Sequence, residues 1–409
     1  MPKAVVISFF RSNNLGDLAL SYAIENLVVE NGYEVLKYDF LNVTPVTENN
    51  IETSFELTTT TTNSKIRSRL GVIKRAITNI VGVNCIENTY YYYNVLFSKK
   101  WKKIISDIKS SDILVLAGGN MVMDISPTLS IPNWATIFRS YCRLASKYKK
   151  PLSIAYIGAG PFNFQVNKEI FGKGLDLANN ISVRDPFSKK VCEELVTGKE
   201  IVQTVDPVFS LPISMEKQRI SLIGNLSTVK IGICVLGEEC FDSELTYDSY
   251  IEGLYKLIIS LSRNLSINNK IEFILFSTET ADYSSVEEVY TKIVSDQSII
   301  IKVKKINKVD ELIELYQELN FLIGGRMHSL IFAQKCLLPF IGVIWQRKIE
   351  GFGEVTNSSN RIYEVCTFNN NINSIGQQIF KDIKDINLIN KMNKENDRLK
   401  SLARKGLII

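Results

Sequence analysis

The chain has 409 residues, of which 45% are hydrophobic and 22% charged, and a formal net charge of +5. That length suits two hydrophobic cores better than one, and no apolar stretch approaches the roughly 20 residues that a membrane span needs. Seven cysteines (85, 142, 192, 234, 240, 336 and 366) without a Cys-x-x-Cys pair, and a single histidine, argue against a zinc site or any other metal centre.

The apolar start, Ala4 to Phe10, is closed by Arg11 and predicts a buried first strand rather than a signal peptide. Short β-branched runs then alternate with amphipathic stretches, the pattern of α/β domains. A first series of strands is expected at 3–9, 33–38, 112–117, 152–157, 180–183 and 201–205. Residues 49–64, polar and threonine-rich, predict a loop. Ile66, Leu70, Ile73, Ile77 and Ile80 follow at helical spacing with Lys65, Arg67, Arg69, Lys74 and Arg75 on the other faces. Such a helix either packs on its own domain or lies on a membrane interface. The run Tyr90 to Tyr93, followed by Lys99, Lys100, Lys102 and Lys103, keeps peripheral membrane contact or a sugar contact open. Leu211-Pro212-Ile213-Ser214 and the polar stretch to Thr228 predict a linker. A second series of strands is expected at 230–235, 271–276, 299–304, 320–323 and 339–344, and a basic helical segment at 376–406 that either packs back or lies free. The expected architecture is α/β, with two doubly wound, Rossmann-like domains facing a cleft: an N-terminal domain over 1–215, a C-terminal domain over 216–375, and a helical segment over 376–409. The thiols fall mostly in apolar segments, which fits reduced core residues and a cytoplasmic location. The mild charge allows acidic substrates but gives no footprint for nucleic acid.

Ligands of open α/β sheets bind beyond the carboxyl ends of strands, and four such ends carry small or polar residues. The first is Asn14-Leu15-Gly16-Asp17, where Gly16 permits a tight turn, Asn14 or Asp17 can cap a helix, and Asp17 can accept a hydrogen bond or a proton from a sugar hydroxyl. The second is Gly118-Gly119-Asn120, whose glycines let backbone approach a ligand. The third combines Gly158-Ala159-Gly160-Pro161 with Arg184-Asp185; Arg184 either pairs with Asp185 or aims its guanidinium at a carboxylate or phosphate. Asp206, at the next strand end, is expected in a turn or cap. The fourth is the strongest: Gly324-Gly325 leaves a buried strand, and Arg326, Met327, His328 and Ser329 open a helix. A guanidinium, an imidazole, a hydroxyl and free helix amides at one turn make an anion site, and Lys348 adds charge within reach of it.

Taken in order, Asn14 to Asp17, Ala117 to Asn120, Ile157 to Pro161, Ser182 to Asp185, Thr204 to Pro207 and Gly325 to Ser329, continued by Pro339, Gly342 and Lys348 to Phe352, resemble the polysaccharide pyruvyltransferase family over roughly residues 5–352. The resemblance implies a GT-B-like fold, no cofactor or metal in the chemistry, phosphoenolpyruvate as co-substrate, and a glycan acceptor, commonly lipid-linked or polymeric, that receives a pyruvate ketal on two hydroxyls of one sugar. It places the donor in the C-terminal domain on Arg326, Ser329, Gly325 and Lys348, together with Arg184 of the N-terminal domain, and the acceptor along Asn14, Gly16, Gly118, Gly119 and Asn120. His328 is then the acid that protonates the methylene carbon, and Asp17 the group that orients or deprotonates the acceptor. The chain departs from the family at Asn120, where a glycine is common, and at Gln346-Arg347, where Asp-Pro is common. Two other readings share the pattern: a nucleotide-sugar glycosyltransferase or epimerase using Glu350 or Glu354, and a non-catalytic glycan- or membrane-binding protein.

Overall fold

The structure, a computed structural model, describes residues 1–46, 88, 90–124, 134–213, 215–224, 227–263 and 270–409. The expected loop at 49–64 and the basic helix at 66–80 lie outside these residues, as do Cys85 and Ser214. The chain forms two compact units. The first comprises Met1–Ser12, Leu20–Pro207 and Leu402–Ile409; the second comprises Asn13–Ala19 and Val208–Ser401. The division thus falls at Pro207, ahead of the expected 215, and the residues around Gly16 belong with the second unit.

In chain order the first unit carries β1 (Lys3–Ser8), α1 (Leu15–Glu30), β2 (Glu34–Asp39), α2 (Lys102–Ser110), β3 (Ile113–Ala117), α3 (Trp134–Lys147), β4 (Leu152–Ile157), α4 (Gln165–Leu175), β5 (Asn180–Val183), α5 (Pro186–Leu195) and β6 (Ile201–Gln203), α1 having its first residues in the second unit. Its parallel sheet has the order β2-β1-β3-β4-β5-β6. The central strand β3, Ile-Leu-Val-Leu-Ala, is buried at every position, as expected of a parallel strand covered by helices on both faces. Val5, Ile7, Leu114, Leu116, Ile154, Phe138 and Phe171 form the core. At β4 the register with β5 shifts between Ile154 and Ile157, and Tyr156 there has a φ of +56°, a conformation that side chains other than glycine rarely adopt. Its hydroxyl donates to the Ala403 carbonyl. Beside it the Thr204 hydroxyl donates to Leu402 O at 2.6 Å and the Ser182 hydroxyl to Gly406 O at 2.5 Å. Residues 402–409 are therefore integral to the first unit, not a free tail.

The second unit carries α6 (Glu216–Gly224), β7 (Thr228–Cys234), α7 (Glu244–Arg263), β8 (Lys270–Phe276), α8 (Tyr283–Ile293), β9 (Ile300–Val303), α9 (Val309–Glu318), β10 (Phe321–Gly324), α10 (Met327–Lys335), β11 (Phe340–Ile344), α11 (Arg347–Val355), β12 (Ile362–Glu364), α12 (Val365–Asn370), α13 (Ile372–Asp382) and α14 (Ile386–Lys405), the last residues of α14 belonging to the first unit. The stretch expected as a linker contains α6, which buries Arg219. That guanidinium donates to Leu319 O, to Tyr316 O at 2.8 Å and to Cys336 O at 3.2 Å, so it caps the ends of α9 and α10, where carbonyls lack helical partners. Burial pushes it down to about 10. β12, a three-residue strand paired with β11, was not anticipated because it is too short to show a period. The parallel order is β12-β11-β10-β7-β8-β9.

These orders fix where ligands can bind. Connections run to opposite sides of β1 and β3 in the first sheet and of β7 and β10 in the second, and the crevice at such a switch point is where doubly wound sheets take their ligands. The loop after β10 is Gly325-Arg326, and that after β7 includes Glu239.

Candidate active site

The second unit brings together residues from four segments. Gly325 leaves β10 where a Cβ would lie 2.4 Å from Leu236 Cδ1 and 3.0 Å from Val343 O, so only glycine fits the turn. Arg326 then stands as the N-cap of α10 with no side-chain cap bond. Its side chain turns to Asp282, which is fully buried. The Arg326 Nε donates to Asp282 Oδ2 at 2.8 Å, and Nη2 donates to Asp282 Oδ1 and to Glu239 Oε1, the latter at 3.1 Å. Asp282 is itself held by Ser277 Oγ at 2.6 Å and by the Gly237 amide at 2.9 Å. Burial works against the Arg326 charge, but the Asp282 hydrogen bonds and carboxylate hold the guanidinium above its ordinary range. Three of its five N–H groups are so engaged, and the two on Nη1 have no acceptor among the described residues.

Trp345, at the end of β11, fixes the cationic side of the site. Its indole N–H donates to Gly325 O at 2.9 Å. The Arg326 guanidinium lies 5.5 Å from the ring centroid and the Lys348 ammonium 5.3 Å from it, both within cation–π range. Lys348 and Arg326 therefore flank one indole.

His328 is 7% exposed and lies on the start of α1. A Cβ at Gly16 would fall 2.0 Å from His328 Nδ1, so the absent side chain makes room for the imidazole. Asn14 holds this segment in place. Its Oδ1 accepts from the Gly16 amide at 2.8 Å, capping α1, and its Nδ2 donates to Glu279 Oε2 at 2.6 Å. The Leu15 amide donates to Thr278 O at 3.0 Å. Asp17 is half-buried in the first turn of the same helix. Burial raises the Glu279 carboxyl above its usual range; the Arg326 charge and the Asn14 hydrogen bond act against that, and Asp282 and Asp17 reinforce it.

Ser329 differs from expectation. Its amide and hydroxyl both donate to Arg326 O, at 2.9 and 2.6 Å, so they serve the helix turn. The amides of Met327 and His328 lie in the first turn of α10.

Arg184, assigned to donor binding by the resemblance, sits in a constellation of the first unit. It does not pair with Asp185, which caps α5 by accepting from the Ser188 amide at 2.7 Å. Arg184 Nη1 donates to Asp206 Oδ2 at 3.0 Å and Nη2 to Asn120 Oδ1 at 2.8 Å. Asp206, just ahead of the turn Pro207–Ser210, is thus the ion-pair partner of Arg184, and Asn120, the departure from the family pattern, supplies an acceptor that glycine would lack. Gly118 and Gly119 have φ of +82° and +63°, and the space of their missing Cβ atoms is filled by Leu20 and Phe9. Packing and backbone conformation account for that pair. The thiols of Cys142, Cys192, Cys234, Cys240 and Cys336 are buried and pushed up to about 12 by burial, which makes them poor nucleophiles.

Sequence reasoning missed Glu279, Asp282 and Glu239, and gave Trp345 no organising role. Glu350 and Glu354 start and end α11 as exposed side chains.

Two parallel six-stranded sheets, each with its own switch point, define a two-domain α/β fold of the GT-B-like class. The fold is similar over almost the whole chain to S. aureus MnaA bound to UDP (TM-score 0.52, 13% identity, 99% of this chain and 94% of that one). It is likewise similar to a putative UDP-N-acetylglucosamine 2-epimerase from Listeria monocytogenes (0.52, 13%, 98% and 94%) and to the N-terminal domain of Candida albicans trehalose-6-phosphate phosphatase (0.52, 9%, 99% and 95%). At these identities the likeness is one of fold. The model of the polysaccharide pyruvyl transferase family matches residues 14–347, and the chain belongs to that family. No curated protein matches the sequence. Among the described residues no helix is long and apolar enough to cross a membrane.

Proposed function

We propose that this protein transfers the pyruvyl group of phosphoenolpyruvate to two hydroxyls of one sugar in a surface or capsular polysaccharide precursor, forming a pyruvate ketal. The observation that carries this reading is the pairing at the start of α10: an arginine held by Asp282 with its Nη1 edge open, two residues from an imidazole seated on Gly16. Within the family this chain belongs to, such a pair supplies what the reaction needs, a fixed cation for a polyanionic donor and an acid for its carbon.

The open edge of Arg326, the amides of Met327 and His328, and Lys348 hold the phosphate and carboxylate of the donor; fixed, forked donors orient such groups as well as binding them. His328 in its protonated form gives a proton to the methylene carbon. One sugar hydroxyl adds to the neighbouring carbon and Asp17 orients it. The second hydroxyl then displaces phosphate and closes the ring, and no metal or cofactor enters these steps. Arg184 acts indirectly in this reading: with Asp206 and Asn120 it shapes the loops on the acceptor side. The acceptor is a glycan, lipid-linked if the precursor is assembled on a lipid, which places the enzyme in the cytoplasm at the inner face of the membrane.

The test combines phosphoenolpyruvate with candidate glycans, following phosphate release and the mass gain of the acceptor. Turnover in the wild type that disappears in His328→Gln while donor binding persists supports the reading. Transfer of sugar from a nucleotide donor instead, with no thermal shift from phosphoenolpyruvate, would replace it by the glycosyltransferase alternative.

A further inference from the structure

Glu279 belongs to none of the motifs that mark this site, yet the site is built around it. The loop after β8 presents it, an isolated antiparallel bridge pairs it with Asn14, and its Oε2 accepts from the Asn14 amide at 2.6 Å. The groups around it come from every neighbouring segment. The start of α1 contributes Asp17, its own loop Asp282, and the loop after β10 Arg326. Beyond Arg326 stand Glu239 from the loop after β7 and, across the Trp345 ring, Lys348. His328 rests on Gly16, two residues from Asn14. Four carboxylates thus share the site with one guanidinium, one ammonium and one imidazole.

That balance is the wrong one for a polyanion unless a carboxylate gives up its charge. Asp282 has both of its oxygens bound by Arg326. Asp17 lies in the first turn of α1, the end of a helix that attracts negative charge. Glu239, whose carboxyl burial also raises, is 53% exposed in its side chain and accepts a charged hydrogen bond from Arg326. Glu279 is the carboxylate whose charge is least supported: it is half-buried, its hydrogen bond comes from a neutral amide, and burial raises it.

We propose that phosphoenolpyruvate enters this site together with a proton that settles on Glu279, which makes Glu279 the group that lets an acid-rich site accept a polyanion. The inference rests on the donor assignment proposed above. Where the bound donor raises the Glu279 carboxyl beyond its value in the free protein, binding takes up a proton between the two values. Donor affinity therefore strengthens as pH falls, by up to about tenfold per pH unit for one linked proton.

Calorimetric titration of the full chain with phosphoenolpyruvate, in two buffers of different ionisation heat, measures the uptake directly. The wild type takes up protons. Glu279→Gln, which imitates the protonated form, binds at least as tightly above neutral pH, takes up fewer protons and loses most of the pH slope. Glu279→Asp keeps the uptake, and His328→Gln measures the part contributed by the imidazole. Unchanged uptake in Glu279→Gln, or loss of binding in that variant while its melting temperature is normal, overturns the inference and leaves the donor assignment standing. No binding of phosphoenolpyruvate to the wild type removes both.

Discussion

The imidazole of His328 occupies the space that a side chain at Gly16 would fill, with Nδ1 only 2.0 Å from where that Cβ would be. The absence of one carbon at position 16 therefore sets the position of the proposed acid. Gly16→Ala forces the ring to move. Overpacking of this kind costs about 1–3 kcal/mol of stability, and a displacement near 1 Å can lower turnover about 100-fold. A modest fall in melting temperature with a large fall in ketal formation is expected; normal turnover would show that the ring is not held there.

His328→Gln removes the acid while keeping a polar side chain of similar length. Ketal formation should fall by a factor on the order of 100 to 10,000, with donor affinity changed far less. Rates measured beside calorimetric affinities check this, and equal losses in both would make His328 a binding group instead.

Asp282 binds Arg326 while fully buried. Asp282→Ala leaves a guanidinium without its partner, at a cost of about 3–5 kcal/mol, and frees Arg326 to move away from Trp345. Urea unfolding of Asp282→Ala, Arg326→Met and the double variant measures it. The double variant should be more stable than Asp282→Ala, because it leaves no orphaned charge.

The Arg184–Asp206 pair is almost completely buried, at 4% and 5% side-chain exposure. Asp206→Ala should cost about 3–5 kcal/mol. Asn120→Gly, which restores the residue common in the family, should cost about 1.5–3 kcal/mol, since it removes a hydrogen bond to a charged group. If Asn120→Gly is neutral, water or a neighbour takes over the Arg184 contact.

Glu279 also carries a stability signature. A carboxyl raised by folding contributes stability that is complete below its unfolded value and is lost as pH rises through its folded value. Glu279→Gln should therefore melt higher than the wild type at mildly alkaline pH and lose that advantage in acid; the reverse order would mean that the ionised carboxylate is the better-held form.

Much of this was legible in the sequence and some was not, for identifiable reasons. Runs such as Ile113 to Ala117 and Phe321 to Ile323 announced themselves because parallel strands buried on both faces are continuous apolar stretches. The Gly324 to Ser329 segment was legible because its functional groups are adjacent in the chain. Asp282 and Glu239 were not, because their meeting with Arg326 depends on the strand order β10-β7-β8, which brings together loop ends more than 40 residues apart in the chain. Arg184 shows the same limit: its neighbour in sequence is Asp185, and its partner is Asp206, 22 residues on, at the end of the adjoining strand.

The hydrogen bonds that Tyr156, Ser182 and Thr204 make to residues 402–406 bear on biosynthesis. A nascent chain completes its N-terminal domain first when that domain is contiguous. Here the strand ends at β4, β5 and β6 wait for a segment translated after the entire second unit. Until it arrives the strained backbone at Tyr156 lacks its anchor, so the first unit is completed only after the second has been synthesised.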